Sequence, residues 1–259
     1  STVTDVLKVS VKDLGARGEG DRWLIEDVSF DIHKGEILGV AGVEGNGQQE
    51  LVDLLLGIRA VDTGSIELNG ENIAKWSTRE RREAGMGFIP ADRHGQGLLL
   101  PSPLWENAML GHQSVEPFSN GPMIDRKGAV GRTNEIIEGY DVRTPGVDTT
   151  AKALSGGNQQ KFIVGREMTA SPSLLLASHP TRGIDVGAQA VVWQLLRDAR
   201  ANGLAVLLIS ADLEELIGLS DTLMVILRGR MVATLDPATV TAPELGSYMT
   251  GAQQEEVAS

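Results

Sequence analysis

Apolar and polar positions alternate at the start of the chain. Leu7, Val9 and Val11 stand against Lys8, Ser10 and Lys12, the period of a half-buried strand. A second strand is predicted over residues 24–32, with a turn at His33-Lys34-Gly35. Residues 36–41 form a short apolar run that ends in glycines, as in a strand buried on both faces. Leu51, Leu54 and Leu55 then recur at helical spacing. Residues 65–68 read as a strand closed by Asn69-Gly70, 78–83 as a short exposed helix and 86–90 as a further strand. Between about 91 and 170 strand patterns vanish, Pro and Gly punctuate, and helices are predicted around 104–110 and 127–140. The core resumes with a strand at 173–177. A long helix follows at 186–202, with Val191, Val192, Leu195 and Leu196 on one face and Gly203 ending it. Residues 204–210 give a buried strand and 212–219 a short helix. Residues 223–227 and 231–235 flank Arg228-Gly229-Arg230 as a hairpin. Such strand–loop–helix units predict an α/β fold with a mainly parallel sheet and a largely helical insertion.

Composition removes several functional classes. The chain has 259 residues, with 23 Lys plus Arg against 35 Asp plus Glu, a net charge of −12 that argues against a general nucleic-acid binder. Cysteine is absent, which rules out disulfides, thiolate catalysis and Cys-ligated zinc. No apolar run approaches the ~20 residues of a membrane helix.

Candidate chemistry begins after the strand at 36–41. Gly42-Val43-Glu44-Gly45-Asn46-Gly47-Gln48-Gln49 has the spacing of a phosphate loop, G-x-x-x-x-G-K-[ST], between a strand and a helix. Its glycines let amide N–H groups approach an anion at a helix start. The lysine position, however, holds Gln48, and the Ser/Thr position holds Gln49. Loss of one charge-assisted contact costs roughly 1.5–3 kcal/mol. From this loop alone, a plain strand-to-helix turn without ligand is an equal alternative.

Leu154-Ser155-Gly156-Gly157-Asn158-Gln159-Gln160-Lys161 is more specific. Ser155 stands where an N-cap belongs, and a Ser hydroxyl with glycine N–H groups at a helix start is an anion clamp. The segment resembles the signature motif of ATP-binding-cassette (ABC) ATPases. The resemblance covers about residues 6–235. Pro180 to Ala188 looks like the D-loop segment, with its Asp185, of the sugar and nucleoside importer ATPases. Phe88-Ile89-Pro90-Ala91-Asp92-Arg93 looks like their Q-loop region. The match is closest to the second, C-terminal cassette of chains in which two cassettes are fused. The resemblance therefore implies a P-loop NTPase-like ABC ATPase fold with an antiparallel β subdomain and a helical subdomain. A single nucleotide-binding domain is expected over 1–259: core 1–90 and 171–250, helical subdomain about 91–170 and polar tail 252–259. A chain that starts with Ser1 and resembles one of two fused cassettes is expected to be a piece of a longer protein.

The family mechanism needs a magnesium-holding Asp and a catalytic Glu after the strand at 173–177, where this chain has Ser178 and His179. The switch-histidine position holds Ala211, and the Q-loop glutamine position holds Ala91. No aromatic lies between Leu14 and Asp21 to stack on adenine, and Trp23 is out of register. No catalytic residue is therefore expected in the chain's own site. Weak phosphate contacts are expected from Gly42, Gly45, Asn46, Gly47, Gln48 and Gln49. Family cassettes pair head-to-tail, so Leu154, Ser155, Gly156, Gly157, Asn158 and Gln159, with Asp185, are expected to serve ATP and Mg²⁺ held by a competent partner cassette. The implied further partners are transmembrane permease subunits and, indirectly, a solute-binding protein, at the cytoplasmic membrane face. Two alternatives are an ATPase using His179 and Glu44, and a soluble regulatory cassette. Leu98-Leu99-Leu100-Pro101 and Leu104-Trp105 suit either a docking cleft or the insertion's own core.

Overall fold

The computed structural model describes residues 2–252. Its strands are β1 (Leu7–Arg17), β2 (Trp23–His33), β3 (Ile37–Ala41), β4 (Thr63–Leu68), β5 (Glu71–Asn72), β6 (Met86–Ile89), β7 (Ser119–Asn120), β8 (Met123–Ile124), β9 (Leu174–Ser178), β10 (Ala205–Ser210), β11 (Thr222–Leu227) and β12 (Arg230–Leu235). The α-helices are α1 (Gln48–Leu56), α2 (Thr78–Glu83), α3 (Leu104–Ala108), α4 (Arg126–Gly139), α5 (Gly156–Thr169), α6 (Val186–Ala201), α7 (Leu213–Leu219) and α8 (Ala242–Thr250).

The central sheet runs β12-β11-β3-β10-β9-β6 and is parallel from β11 to β6, with β12 added antiparallel as an edge. Its inner strands are apolar on both faces because both faces are covered. Leu38 and Val40 of β3 face the cluster of Leu51, Leu54 and Leu55 on α1, whereas Ile37 and Ala41 face the cluster holding Phe162 and Ile163 of α5. The second sheet, β2-β1-β4-β5, is antiparallel and packs its apolar face over α1. The predicted α/β core with an antiparallel β subdomain is present.

Three expectations change, and one open alternative narrows. β1 extends past Lys12, because a register shift at Asp13, with φ 49°, resets the alternation and buries Leu14 and Ala16. The insertion is not free of strands: β7 and β8 form a hairpin around Gly121, whose φ of 66° only a turn residue adopts easily. On α6, Val192 and Leu196 are buried but Val191 is 42% exposed, since adjacent helical positions diverge by about 100°. Leu98 and Leu104 are buried in one cluster shared by the insertion and the central sheet, and only Leu99 of that stretch is an exposed large apolar side chain. Residues 253–259 of the expected polar tail lie outside the described residues.

Candidate functional site

The glycine loop joins β3 to α1. Gly45 and Gly47 take φ of 89° and 109°, and a Cβ on Gly47 would stand 3.0 Å from Ile25 Cδ1 and 3.1 Å from Gly229 Cα. The hairpin tip between β11 and β12 holds the loop from outside. Gly229 N–H donates to the Asn46 carbonyl at 2.9 Å, and Arg228 N–H donates to Asn46 Oδ1 at 3.1 Å. Gln48 holds it from inside. Its side chain turns back into the loop: Nε2 donates to the Val43 carbonyl at 2.7 Å, and Asn46 N–H donates to its Oε1 at 3.2 Å. Gln48 is only 7% exposed, and a Cβ on Gly42 would fall 2.5 Å from its Nε2. Gln49 points outward and donates to Asp53 at 2.8 Å.

The strand ends bring the remaining predicted positions to the same place. Gln48, Gln49, Ala91, Ser178, His179 and Ala211 all line one cleft of about 530 Å³. Parallel pairing does this directly, because β3 and β10 end together at Ala41 and Ser210 and β9 ends at Ser178 beside Ile209. His179 sits at φ 45° and is partly buried. Burial, then the charge of Arg182, hold its imidazole below the ordinary histidine range, partly offset by Glu44. Among the described residues no cluster of three or more His, Asp or Glu is placed to hold a metal ion.

Glu215, also in this cleft, has no marker in the local sequence. It is 1% exposed and accepts hydrogen bonds from Thr181 Oγ1 at 2.7 Å, Ser210 Oγ at 2.7 Å and Trp193 Nε1 at 3.1 Å. Burial raises its carboxyl above the ordinary range despite these donors. Its partners come from three separate elements, so no short motif announces it.

The signature segment lies outside this cleft, at the start of α5. Ser155 is its N-cap and accepts from Asn158 N–H at 3.4 Å and Asn158 Nδ2 at 3.0 Å. Leu154 is buried in the core, and Gln159 Nε2 donates to the Ala151 carbonyl at 3.0 Å. Gly157 is buried: a Cβ there would meet Ala188 Cβ at 2.7 Å. Asp185 caps α6 through Ala188 N–H at 3.0 Å. Among the residues expected to serve the partner's ATP, Ser155 and Asp185 are exposed, whereas Gly157 is covered by the chain's own α6.

A family model described as "ABC transporter" matches residues 25–182. The chain belongs to the ABC transporter family. It is 45% identical over 232 residues to the guanosine import ATP-binding protein NupO of Bacillus subtilis, covering 90% of this chain and 46% of the relative. It is 40% identical over 248 residues to the nucleoside import ATP-binding protein NupA of Lactococcus lactis, covering 96% and 49%. With a ribose import ATP-binding protein, RbsA 1, of Rubrobacter xylanophilus, it shares 35% over 245 residues, covering 94% and 49%. The chain thus spans about half the length of these relatives. Its fold matches the crystal structure of a nucleotide-free ATP-binding cassette from an ABC transporter, with a TM-score of 0.77 at 18% identity over 95% of this chain and 96% of that one. In this ABC ATPase fold the cleft at the phosphate loop and the signature segment occupy different regions, joined by the stretch whose Thr181, Arg182 and Gly183 line the cleft and whose Asp185 and Ala188 lie against Gly157.

Proposed function

We propose that the chain is the nucleotide-binding domain of an ATP-driven importer for simple sugars or nucleosides. It donates its signature segment to ATP held by a partner cassette, while its own phosphate loop binds nucleotide weakly or not at all and does not hydrolyse it. The observation that carries this reading is the Gln48 side chain inside the loop. It bonds Val43 and Asn46 where a lysine would reach phosphate, and it carries no charge. Around it, Ser178, His179, Ala91 and Ala211 supply neither a magnesium carboxylate nor the usual base, switch and Q-loop groups. One lost group can be compensated. Five directed at the same phosphoryl group remove most of the electrostatic stabilisation of the transition state.

The nucleoside and sugar importers named above support the transport assignment, and their double length supports a competent cassette in the same native chain. ATP and Mg²⁺ then belong to the composite site, with Ser155 and the D-loop Asp185 on this side of it. Permease subunits bind at the cytoplasmic membrane face, with a solute-binding protein as an indirect partner. The surface for the permease is a groove of about 590 Å³ between the core and the insertion, lined by Ile58, Phe88 and Leu110 with Arg79 and Arg82. Its apolar lining suits a short permease helix with one apolar face, since Arg79 and Arg82 are already paired with Glu83 and Glu167.

ATP turnover measured on the isolated chain tests the reading. The expected result is none above background, and calorimetry with Mg-ATP is expected to give millimolar or absent binding. Ordinary ATPase rates that vanish in His179→Ala would instead establish the unconventional-residue mechanism.

A further inference from the structure

One side chain bridges the segment lining the cleft and the signature helix. Arg93 opens a single π-helical turn, Arg93–Gly97, two residues after Ala91 of the cleft. Asp92 caps that turn, accepting from His94 N–H at 3.1 Å and Gly95 N–H at 3.0 Å. The far end is fixed to α5, where Arg166 Nη1 donates to the Gly97 carbonyl at 2.8 Å. From this held turn the Arg93 guanidinium reaches the segment before Asp185. Nη1 donates to the Arg182 carbonyl at 2.8 Å and Nη2 to the Gly183 carbonyl at 2.9 Å. Its Nε donates to Gln159 Oε1 on the signature helix at 3.3 Å. His94 Nε2 lies 3.0 Å from the same oxygen. A Cβ on Gly156 would fall 2.9 Å from Arg93 Nη2, so the guanidinium lies directly against the signature.

We propose that Arg93 is a positioning residue for the signature segment, fastening α5 to the D-loop so that Ser155 and Asp185 present to the partner cassette as one unit. Its acceptors in these three bonds are neutral carbonyl oxygens, so its forked geometry does the holding rather than its charge. Gly157 against Ala188 supplies the apolar half of the same joint. Two fastened segments meet a partner in fixed register, and the order is not lost when the cassettes separate. This inference rests on the donor role proposed above.

The test uses the assembled transporter containing this chain, with Arg93→Ala, Arg93→Lys and Ser155→Ala beside wild type. Arg93→Ala is expected to lower maximal ATP turnover about ten-fold. KM for ATP stays in place, because the partner's own loop holds the nucleotide. Arg93→Lys is expected to fall nearly as far, since one ammonium cannot bridge consecutive carbonyls and Gln159. Full turnover in either Arg93 variant overturns the proposal, and full turnover in Arg93→Lys alone points instead to a charge effect. Hydrogen exchange is the second measurement. In Arg93→Ala, amides 155–159 and 183–188 are expected to exchange faster while β3 and β10 are unchanged. Unchanged exchange in those two segments overturns the proposal as well. If Ser155→Ala leaves turnover intact, the donor reading falls, and the Arg93 joint stands or falls on the exchange measurement.

Discussion

The phosphate-loop cleft and the signature edge meet their polar groups in opposite ways. In the cleft the chain satisfies itself. Gln48 bonds the loop from within, the hairpin tip bonds Asn46 from without, and Glu215 is surrounded by three donors. At the signature edge Ser155 and Asp185 remain exposed, and each caps a helix whose start faces outward. A region that spends its hydrogen bonds internally is stable without a guest. One that keeps a helix start and a hydroxyl at the surface is suited to an anion brought by another molecule.

The largest test of that contrast attacks the support of the signature helix. Glu167, near the end of α5, is fully buried and accepts from Arg166 Nε at 3.0 Å and Phe88 N–H at 3.1 Å, with Arg82 Nη2 at 2.9 Å. Burial alone would raise its carboxyl, but Arg82, His112 and Arg166 hold it well below the ordinary range. Glu167→Ala leaves buried cations unpaired and is expected to cost about 3–5 kcal/mol in denaturant unfolding. The pH sign follows from the lowered carboxyl. Its contribution is present above the unfolded carboxylate pKa and is lost as acid protonates it, so wild type loses stability toward low pH more steeply than the variant.

Next comes Ser155→Ala in the assembled transporter. If Ser155 serves the partner's ATP as proposed, removal of its hydroxyl is expected to cut turnover about 100-fold or more. The lost N-cap accounts for only about 1 kcal/mol of stability, which a melting curve separates from the kinetic loss. Gln48→Lys works on the other region. It restores a cation to the loop and is expected to tighten Mg-ATP binding roughly 10–100-fold by calorimetry, without turnover. Turnover in that variant would show that Ser178 and His179 suffice, and the contrast between the regions would collapse. The smallest effect is expected at Glu215. Its raised carboxyl makes the folded state favour the proton, so wild-type stability declines as pH rises through the raised folded-state pKa. Glu215→Gln, with Nε2 turned to Ser210, is expected to flatten that decline and change stability at low pH by less than about 1 kcal/mol.

Much of this was legible in the sequence, for reasons that particular residues make plain. Strands β3, β9 and β10 are apolar up to the serines that end β9 and β10, because the sheet is covered on both faces, and the loop from Gly42 to Gln49 follows the end of a buried parallel strand. Once those strands are parallel, Ser178 and Ala211 must meet Gln48. What stayed hidden was set by long-range geometry. Asn46 is tied to residues 228 and 229, Arg93 to residues 182 and 183, and Glu215 to Thr181, Trp193 and Ser210. No spacing rule reaches across such separations. The β7–β8 hairpin was missed for the opposite reason: with two residues in each strand, it is too short for alternation to register.

The amide of Gln48 has one more implication. A cassette whose loop needs a nucleotide to complete it melts later when that nucleotide is abundant, because mass action favours whatever state binds the ligand. Here the filling is covalently part of the loop and is always at hand. On the weak-binding reading proposed above, the melting point of this chain is therefore expected to move little when Mg-ATP is added.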